Sequence, residues 1–443
     1  MANIKLDDLD DWRKTHYTSE ISPDLGGEEV IVGGWVIKNK DLGGLKFFIL
    51  RDREGTCQVT AKEDNPDIPD GVKELIPGLG YMWTVMVKGV VKVDKRAPGG
   101  FEIIPKELKI LNTTMQQMPI VEGTKAELDT RLNNRVLDLR MKYSQSMFRI
   151  QHVMLNAFRE FFNQNHFTEI TTPKIIGSAT EGGTELFPII YFNQEAFLSQ
   201  SAQLYKEQLS SVFERVYEIA PCYRAEKSHT KRHLCEILTL DVEMAFGNMD
   251  DVLETFENAL YHVVKKLEKD CASQFKTLNQ KLIIPELPLK RYTYTEILDL
   301  LDKKCNMKIP WGEDISTEAY RLLDKTVKGY YYITHWPSEQ KPFYIMPSKK
   351  DPKVSESFDL QVGWLELASG GTRVHNKELL TSRLKEKGLN PISFESHLKA
   401  FDFGMPPHAG LGFGLARFLT ILTGASDIRE SVLYPRTPDR LTP

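Results

Sequence analysis

The stretch from Tyr223 to Phe246, YRAEKSHTKRHLCEILTLDVEMAF, constrains the fold more than any other part of the sequence, because it reads as strand, polar loop and strand. Side chains alternate between the two faces of a strand, so we expect Arg224 and Glu226 to share one face, and likewise Asp241 and Glu243. An antiparallel pair that presents cations beside carboxylates suits a ligand that carries both phosphates and amines. A solvated hairpin with ion pairs fits the same residues.

Strands are frequent in two regions of the chain, which predicts two domains joined by a hinge. Between about Glu29 and Asn112, four or five short segments rich in Val, Ile, Phe and Tyr are separated by turn signals, a pattern typical of a small β-barrel. Met115 to Arg140 has little periodicity. We therefore predict a barrel domain at 1–113, a hinge at 114–140 and a second domain at 141–443.

The second domain mixes helices and strands without βαβ regularity, which predicts an α+β fold with an antiparallel sheet flanked by helices. Apolar residues at helical spacing predict one helix over about 144–165 and a second helix whose N-cap is Asp250. Three later segments, FYIM, SFDLQV and WLELAS, are predicted to be strands. A Gly-rich passage from strand to helix, HAGLGFGLARFLTILTG, closes the domain.

Composition narrows the class of protein. With a net charge of −4, the chain can bind nucleic acid only through local basic patches and shape. Its five cysteines are scattered without CxxC spacing, which favours reduced thiols in a cytoplasmic compartment. The first residues contain no apolar h-region, and no apolar run approaches the ~20 residues that span a bilayer. We expect a soluble cytoplasmic protein with no membrane partner.

Two further segments carry residues suited to phosphate and amine ligands. Alternate glycines from Gly410 precede a helix that bears Arg417, and the guanidinium fork of an arginine fits phosphate. Glu181 lies beside two glycines in TEGGTELF, while Gln203 and Lys206 are three apart and can share a helical face. Taken alone, the glycines also fit an ordinary turn into a helix, and Lys206 fits a surface lysine.

Asp359 and Glu366 lie on two strands that are predicted to pair. Because Mg²⁺ is commonly held by one or two carboxylates, with phosphate and water as the other ligands, the two acids predict a magnesium site. Arg373 follows the Gly370–Gly371 turn. An ordinary pair of strands, with an ion pair between Asp359 and Arg373, would explain the same residues without a metal.

Together, these segments resemble the class II aminoacyl-tRNA synthetases. Arg224-Ala225-Glu226 is similar to motif 2, Gly412 to Arg417 is similar to motif 3, and the helix ending in FFNQNHFTEITTP is similar to motif 1. The order of GGTELFPI, QLYKE, HLCEILTLDVEMAF, GLNPISFESHLKAF and YPRTPDRLTP is most similar to the aspartyl-tRNA synthetases of the archaeal and eukaryotic type. The resemblance covers nearly the whole chain. It implies a six- or seven-stranded antiparallel sheet flanked by helices, with an N-terminal OB-fold barrel.

The resemblance also implies a reaction in two steps: L-aspartate and ATP form aspartyl-adenylate, and the aspartyl group moves to the 3′ end of tRNA(Asp). It implies catalytic roles for Arg224, on the α-phosphate, and Arg417, on the γ-phosphate. The other residues that it implies are Glu226 for the adenine amino group, Arg232 and His233 near the γ-phosphate, Asp359 and Glu366 for Mg²⁺ against the ATP phosphates, Glu181, Gln203 and Asp241 for the aspartate ammonium group, Lys206 and Arg373 for the aspartate side chain, and Ser369 for a further contact with aspartate.

In the barrel, the resemblance implies that Phe47 and Gln58 contact the anticodon. The text KFFIL alternates poorly, however, and by itself favours an ordinary core aromatic at Phe47. One position departs from the family pattern, since motif 3 usually has Glu before its arginine and Ala416 stands there. We therefore expect packing or another acid to hold Arg417. Motif 1 implies a homodimer.

Two alternatives remain at this stage. An asparaginyl-tRNA synthetase is expected to lack the pair of cations for the aspartate side chain. A non-catalytic, RNA-binding paralogue usually loses a phosphate-binding arginine, whereas Arg224 and Arg417 are both present. Some relatives charge tRNA(Asn) as well as tRNA(Asp), and the sequence leaves that range open.

Overall fold

The computed structural model describes residues 5–114, 118–177, 185–225 and 233–443. The chain forms two compact units, Met1–Pro119 and Ile120–Pro443. Each unit has a hydrophobic core of its own. The exact boundaries of the domains and the hinge, 1–113, 114–140 and 141–443, remain predictions. No helix among the described residues is both long enough and apolar enough to cross a membrane.

The first unit contains a closed five-stranded barrel, as the sequence predicts. Its elements are β1 (Glu29–Asp41), β2 (Leu45–Arg51), β3 (Thr56–Lys62), α1 (Asp70–Leu75), β4 (Thr84–Val93) and β5 (Phe101–Asn112). The strand order is β1-β2-β3-β5-β4, with β3 and β5 parallel and the other neighbours antiparallel. Alternate side chains, among them Val30, Val32, Phe48 and Val59, are fully buried and fill the barrel.

The second unit mixes eleven strands with eleven helices among its described residues. In chain order its elements are α2 (Leu128–Asn133), α3 (Arg135–Asp138), α4 (Lys142–Gln164), β6 (Thr168–Glu169), β7 (Ile175–Ile176), β8 (Pro188–Tyr191), β9 (Gln194–Leu198), α5 (Gln203–Phe213), β10 (Arg215–Tyr223), β11 (Glu236–Ala245), α6 (Met249–Asp270), α7 (Ala272–Leu278), β12 (Lys290–Thr293), α8 (Tyr294–Cys305), α9 (Thr317–Leu323), β13 (Tyr330–Thr334), β14 (Ser357–Val362), β15 (Leu365–Thr372), α10 (Lys377–Glu386), α11 (Glu395–Ala400), β16 (His408–Gly414) and α12 (Leu415–Thr423).

The main sheet of this unit has eight strands in the order β12-β13-β14-β15-β16-β11-β10-β6. The six central strands are antiparallel, whereas β12 and β6 run parallel to their neighbours at the two edges. The predicted α+β architecture is confirmed. The strand count exceeds the implied six or seven because these two short edge strands add to the sheet.

Helices α4 and α6 cover one face of this sheet. On α4, Met147, Ile150, Met154 and Phe158 are at most 1% exposed, as their helical spacing predicts. They pack with α6 and with sheet residues of β11, β14 and β16 in one apolar core. Burial of this face leaves the opposite face of the sheet available for polar side chains.

Two predictions of local structure are wrong. The N-cap of α6 is Asn248, whose side chain accepts hydrogen bonds from the backbone N–H groups of Asp250 and Asp251, so Asp250 already lies inside the helix. The segment FYIM forms only an isolated bridge, between Ile345 and Arg373. Phe343 and its neighbours are instead buried against α10 and α11.

Candidate active site

Three predicted site residues lie on one row across the sheet. Asp359 of β14 pairs with Ser369 of β15, Ser369 pairs with Gly412 of β16, and Gly412 pairs with Asp241 of β11. Residues directly opposite each other on antiparallel strands project to the same face. This polar row therefore forms the floor of a cleft on the face away from α4 and α6.

Most of the other predicted site residues line that cleft. They are Gln203, Lys206, Arg224, His233, Glu366, Arg373 and Arg417, together with Asp241 and Ser369 of the row. Glu181, Glu226 and Arg232 lie outside the described residues. Segments that are far apart in the sequence thus meet in one cleft.

Lys206 is a buried residue, so its interpretation as a surface lysine is wrong. Its side chain is 1% exposed, and its Nζ donates to Asp241 Oδ1 and to the Leu411 carbonyl, each at 2.8 Å. Glu243 Oε2 lies 3.8 Å from the same Nζ. Thr239 donates to the other oxygen of Asp241 at 2.9 Å. A lysine on the first turn of α5 is thereby held over the sheet by acids of β11.

Arg373 is bound to Glu243 rather than to Asp359, so the alternative explanation, a satisfied Asp–Arg contact, is wrong. Its Nε and Nη2 donate to the two oxygens of Glu243 at 2.9 and 3.1 Å. Burial lowers the pKa of the guanidinium, but the charge and the hydrogen bonds of Glu243, together with the charge of Glu207, act against burial, and the net pKa is raised. Both partners are at most 2% exposed. Glu243 therefore joins the two predicted cations, Lys206 and Arg373.

Gly410 makes room for this ion pair. A Cβ atom at position 410 would lie 2.1 Å from Glu243 Oε2 and 2.2 Å from the Val242 carbonyl oxygen. The close approach that requires glycine here is to the neighbouring strand β11. Gly412 differs, because a Cβ atom there would lie no nearer than 3.5 Å to Asp241 Oδ1.

Glu366 holds Arg417 in place of the missing motif 3 acid. Arg417 Nη1 donates to the Glu366 carbonyl at 3.0 Å and lies 3.6 Å from its carboxylate. Ala416, which occupies the position of the usual Glu, is buried in a small apolar cluster with Leu234 and Ile428. The expectation that another acid orients Arg417 therefore agrees with the geometry.

Asp359 and Glu366 are placed close enough to influence each other. Burial raises the pKa of Glu366, and the negative charge of Asp359 raises it further. Both oxygens of Asp359 accept hydrogen bonds from Lys341, at 2.8 and 2.9 Å. Sequence reasoning missed Lys341, since it lies in the irregular segment between β13 and β14 where no periodicity marks it.

Comparison with known proteins adds sequence evidence to this geometry. The family "tRNA synthetases class II (D, K and N)" matches residues 127–438, and "OB-fold nucleic acid binding domain" matches residues 30–111. The aspartate--tRNA(Asp/Asn) ligase of Methanothermobacter thermautotrophicus is 46% identical, covering 98% of this chain and 100% of that protein. The ligase of the same name from Methanocaldococcus jannaschii is 45% identical, covering 98% and 99%. The chain belongs to the class II aspartate–tRNA ligases.

Solved structures agree with this assignment. An asparaginyl-tRNA synthetase from Pyrococcus horikoshii, complexed with asparaginyl-adenylate, superposes with a TM-score of 0.93 at 30% identity, covering 97% of this chain and all of that one. The aspartyl tRNA synthetase from Entamoeba histolytica gives a TM-score of 0.85 at 28% identity, covering 97% and 93%. Aspartate and asparagine enzymes thus share this fold, and the higher identity to aspartate–tRNA ligases decides between them.

As an aspartate–tRNA ligase, the protein activates L-aspartate with ATP and transfers the aspartyl group to the 3′ end of tRNA(Asp). Enzymes of this family use ATP together with a divalent metal. The asparaginyl-tRNA synthetase and the non-catalytic paralogue are therefore not favoured.

In the barrel of this aspartate–tRNA ligase, Phe48 rather than Phe47 is the core aromatic. Phe48 is fully buried, whereas Phe47 is half-buried. Phe47 pairs with Thr60 across β2 and β3, and Gln58 is two residues from Thr60, so Phe47 and Gln58 project to the same outer face. The Gln58 amide donates to Thr60 Oγ1 at 3.0 Å.

A buried ionic cluster lies beneath the cleft of the ligase. Glu207 is fully buried, and its Oε2 lies 3.4 Å from His408 Nε2 and 3.6 Å from His397 Nε2. Its Oε1 accepts a hydrogen bond from Gln203 Nε2 at 2.5 Å. Sequence reasoning did not identify Glu207, because its partners His397 and His408 lie about 190 and 200 positions away.

This cluster predicts a pH-dependent contribution to stability. Burial lowers the pKa of His408, but the hydrogen bond and charge of Glu207 outweigh burial and raise it above the ordinary 6.5. The histidines lower the pKa of Glu207 despite its burial. Because the folded-state pKa of His408 is raised, its stabilising effect is complete below about pH 6.5 and is lost as the pH rises through the raised value.

We therefore expect His408→Gln to lower the free energy of unfolding by about 1–3 kcal/mol at pH 6 and by less at pH 9. Urea unfolding of both proteins at the two pH values measures this difference. His16→Gln, on the barrel, serves as the control and should show no pH-dependent loss. An equal loss at both pH values would contradict a charged His408.

Proposed function

We propose that the residues of this cleft carry the activation of aspartate by ATP. Arg224 binds the α-phosphate and Arg417 binds the γ-phosphate, with the adenine between them. Glu226 contacts the adenine amino group, and Arg232 and His233 lie near the γ-phosphate. Support comes from the similarity of these positions to motifs 2 and 3, and from the common cleft lined by Arg224, His233 and Arg417.

In the first step, an oxygen of the aspartate α-carboxylate attacks the α-phosphorus in line with the departing pyrophosphate. The new oxygen–phosphorus bond forms as the bond to the β-phosphate oxygen breaks, so no protein nucleophile is needed. The protein contributes by positioning the two reactants and by stabilising the spreading negative charge with fixed cations. In the second step, the 3′-hydroxyl of the terminal tRNA adenosine attacks the activated carbonyl and AMP leaves.

The observation that carries the aspartate assignment is the buried network of Lys206, Arg373, Asp241 and Glu243. Its two positive and two negative charges balance. Aspartate adds one positive ammonium group and one negative side-chain carboxylate, so the charges in the pocket remain balanced. Asp241 binds the ammonium group, together with Gln203 and Glu181. Lys206 and Arg373 bind the side-chain carboxylate. Ser369 makes a further contact.

The same balance explains discrimination. Asparagine brings the ammonium group without the carboxylate, and so leaves one buried positive charge uncompensated, a penalty of roughly several kcal/mol. Glutamate keeps the charges, so its rejection depends on pocket size, where one methylene is worth only ~1–3 kcal/mol.

Amino-acid-dependent ATP–pyrophosphate exchange tests this assignment. Aspartate should support exchange, while asparagine and glutamate should not at equal concentration. Exchange with asparagine as fast as with aspartate would overturn the proposed pocket.

We further propose that the divalent metal is Mg²⁺, held by Asp359 and Glu366. Their two carboxylates are hard oxygen ligands of the kind that Mg²⁺ takes in ATP sites. Burial and the like charge of Asp359 raise the pKa of Glu366, and a divalent cation would relieve the repulsion between the two acids. When bound, Mg²⁺ neutralises charge on the ATP phosphates. Asp359 and Glu366 orient it, and Glu366 at the same time orients Arg417.

The outer face of the barrel is proposed to bind the anticodon, with Phe47 stacked on a base and Gln58 in contact with a base. Stacking on an aromatic side chain contributes roughly 1–3 kcal/mol per base.

We expect Phe47→Ala to raise the KM for tRNA(Asp) by about 5- to 150-fold and to leave ATP–pyrophosphate exchange unchanged. The control is Leu75→Ala, an exposed residue of α1. Loss of exchange in Phe47→Ala would indicate a folding defect instead.

The names of the archaeal relatives support a wider tRNA range, and we propose that tRNA(Asn) is a second substrate. Charging purified tRNA(Asp) and tRNA(Asn) side by side tests the wider range, since charging of tRNA(Asp) alone would exclude tRNA(Asn) as a substrate.

A homodimer is proposed from the similarity of α4 and β6 to motif 1, and light scattering that finds an active monomer would contradict it. We also propose a cytoplasmic location, supported by five cysteines that all lack a disulfide.

A further inference from the structure

Lys341 occupies the position of a cation on the proposed metal ligand Asp359. Its Nζ lies 2.8 and 2.9 Å from the two Asp359 oxygens and 3.5 Å from Ser369 Oγ. It also lies 4.7 Å from the centre of the Trp336 ring, within the range of a cation–π contact. The side chains of Lys341 and Asp359 are 11% and 5% exposed, so this is a largely desolvated pair and not a surface ion pair.

Contacts on both sides of Lys341 hold its segment in place, so a change of partner by its ammonium group requires only rotations within the side chain. Ser338 N donates to Lys353 O at 2.8 Å, Arg383 Nη2 donates to Ser338 O at 3.1 Å, and the following Phe343 is 1% exposed. A lysine carries a compact charge on a flexible four-carbon stem with three rotatable donors. The ammonium group can therefore exchange one acidic partner for another within the cleft without a change in the fold.

Charge explains why such a cation is needed. Asp359 and Glu366 bring two negative charges to neighbouring strands, and Arg417 already contacts Glu366. Lys341 supplies an opposite charge to the buried Asp359 carboxylate, and removing one partner of a buried ion pair is costly. With Lys341 in place, its ammonium group spans both Asp359 oxygens, so a metal ion that binds Asp359 from the same side must displace the ammonium group.

We propose that Lys341 is a built-in counter-ion that competes with the divalent metal for Asp359 and moves to an ATP phosphate oxygen when metal and nucleotide arrive together. The inference rests on the proposed metal site. It makes the carboxylate pair a poor site for the metal alone and a good one for the metal with ATP, whose phosphates supply both a ligand for the metal and a new partner for the ammonium group.

Binding of Mn²⁺ alone, followed by electron paramagnetic resonance of the free ion, tests the proposal without any turnover. We expect Lys341→Met to bind Mn²⁺ at least about 10-fold more tightly than the wild type, a change of about 1.4 kcal/mol. Lys341→Arg, which keeps the charge, and Lys349→Met, an exposed lysine of the same segment, should show no gain. Adding Asp359→Asn to Lys341→Met should remove the gain.

Unchanged or weaker Mn²⁺ binding by a folded Lys341→Met protein would overturn the proposal. Circular dichroism verifies the fold, and Lys341→Gln, which is also uncharged but keeps a polar head, should give the same gain and provides a second reading. The metal site itself is tested with Mn²⁺ and a non-hydrolysable ATP analogue. If Asp359→Asn weakens that binding while Lys341→Met gives no gain, only the counter-ion role is wrong; if Asp359→Asn has no effect, the metal assignment fails and this inference fails with it.

Discussion

Replacing Arg224 with alanine is expected to lower aspartate-dependent ATP–pyrophosphate exchange by about 10³-fold or more. The proposed role of Arg224 is to stabilise charge that develops on the α-phosphate, so its loss acts on the transition state directly. The fold is expected to survive, since the backbone N–H of residue 224 donates to the Cys235 carbonyl at 2.9 Å and alanine keeps that bond.

A matched control is Arg321→Ala. Arg321 is an exposed arginine of α9 that lies over the Trp364 ring, outside the cleft. It should retain exchange within about 2-fold, as expected for a surface substitution. Arg224→Lys keeps the charge without the planar fork and should fall between the wild type and the alanine variant. If Arg224→Ala is folded and keeps a tenth of wild-type exchange, the α-phosphate role is wrong.

Replacing Arg373 is expected to have the second large effect. Arg373→Ala leaves the Glu243 carboxylate buried without its main partner, and we expect it to destabilise the catalytic unit by about 3–5 kcal/mol. Arg373→Lys separates function from folding, because it keeps a positive charge but cannot form two parallel hydrogen bonds. We expect kcat/KM for aspartate to fall by about 10²- to 10³-fold in this variant, equivalent to about 3–4 kcal/mol.

Arg135→Lys provides the comparison for Arg373→Lys. Arg135 is also a buried arginine, and it binds Asp138 and backbone carbonyls near the end of the chain rather than the cleft. It should lower the thermal midpoint while leaving the KM for aspartate unchanged. If Arg373→Lys instead keeps its kcat/KM for aspartate, the two-cation pocket is not the source of aspartate recognition.

Local pattern was enough to predict the elements that carry the site. The pattern within Tyr223–Phe246 predicted β11, and the apolar spacing predicted α4, because those signals depend on near neighbours in the chain. The strand that was expected to carry Arg224 ends one residue earlier, at Tyr223. The same reasoning placed Asp241 and Glu243 on one face, which the buried contacts of both residues bear out. The N-cap of α6 was misplaced by two residues because Asn248 and Asp250 are both good capping residues.

Pairing across the chain could not be predicted in this way. Lys206 reads as a surface lysine until β11 and β16 are brought beneath it, since the burial of its ammonium group depends on Asp241 and on the Leu411 carbonyl. Lys341 lies in an irregular segment, and its partner is 18 positions away. Neither residue has a local signal, because each is defined by the acid it meets in three dimensions.

The polar row of Asp359, Ser369, Gly412 and Asp241 has a consequence for protein synthesis. Each residue comes from a different strand, and a slip of one residue in any strand would turn its side chain toward the helices. A molecule with such a slip would lack part of the cleft floor and would bind aspartate and ATP less well. Strand register therefore determines how much active enzyme the cell has for charging tRNA(Asp), as well as the stability of the domain.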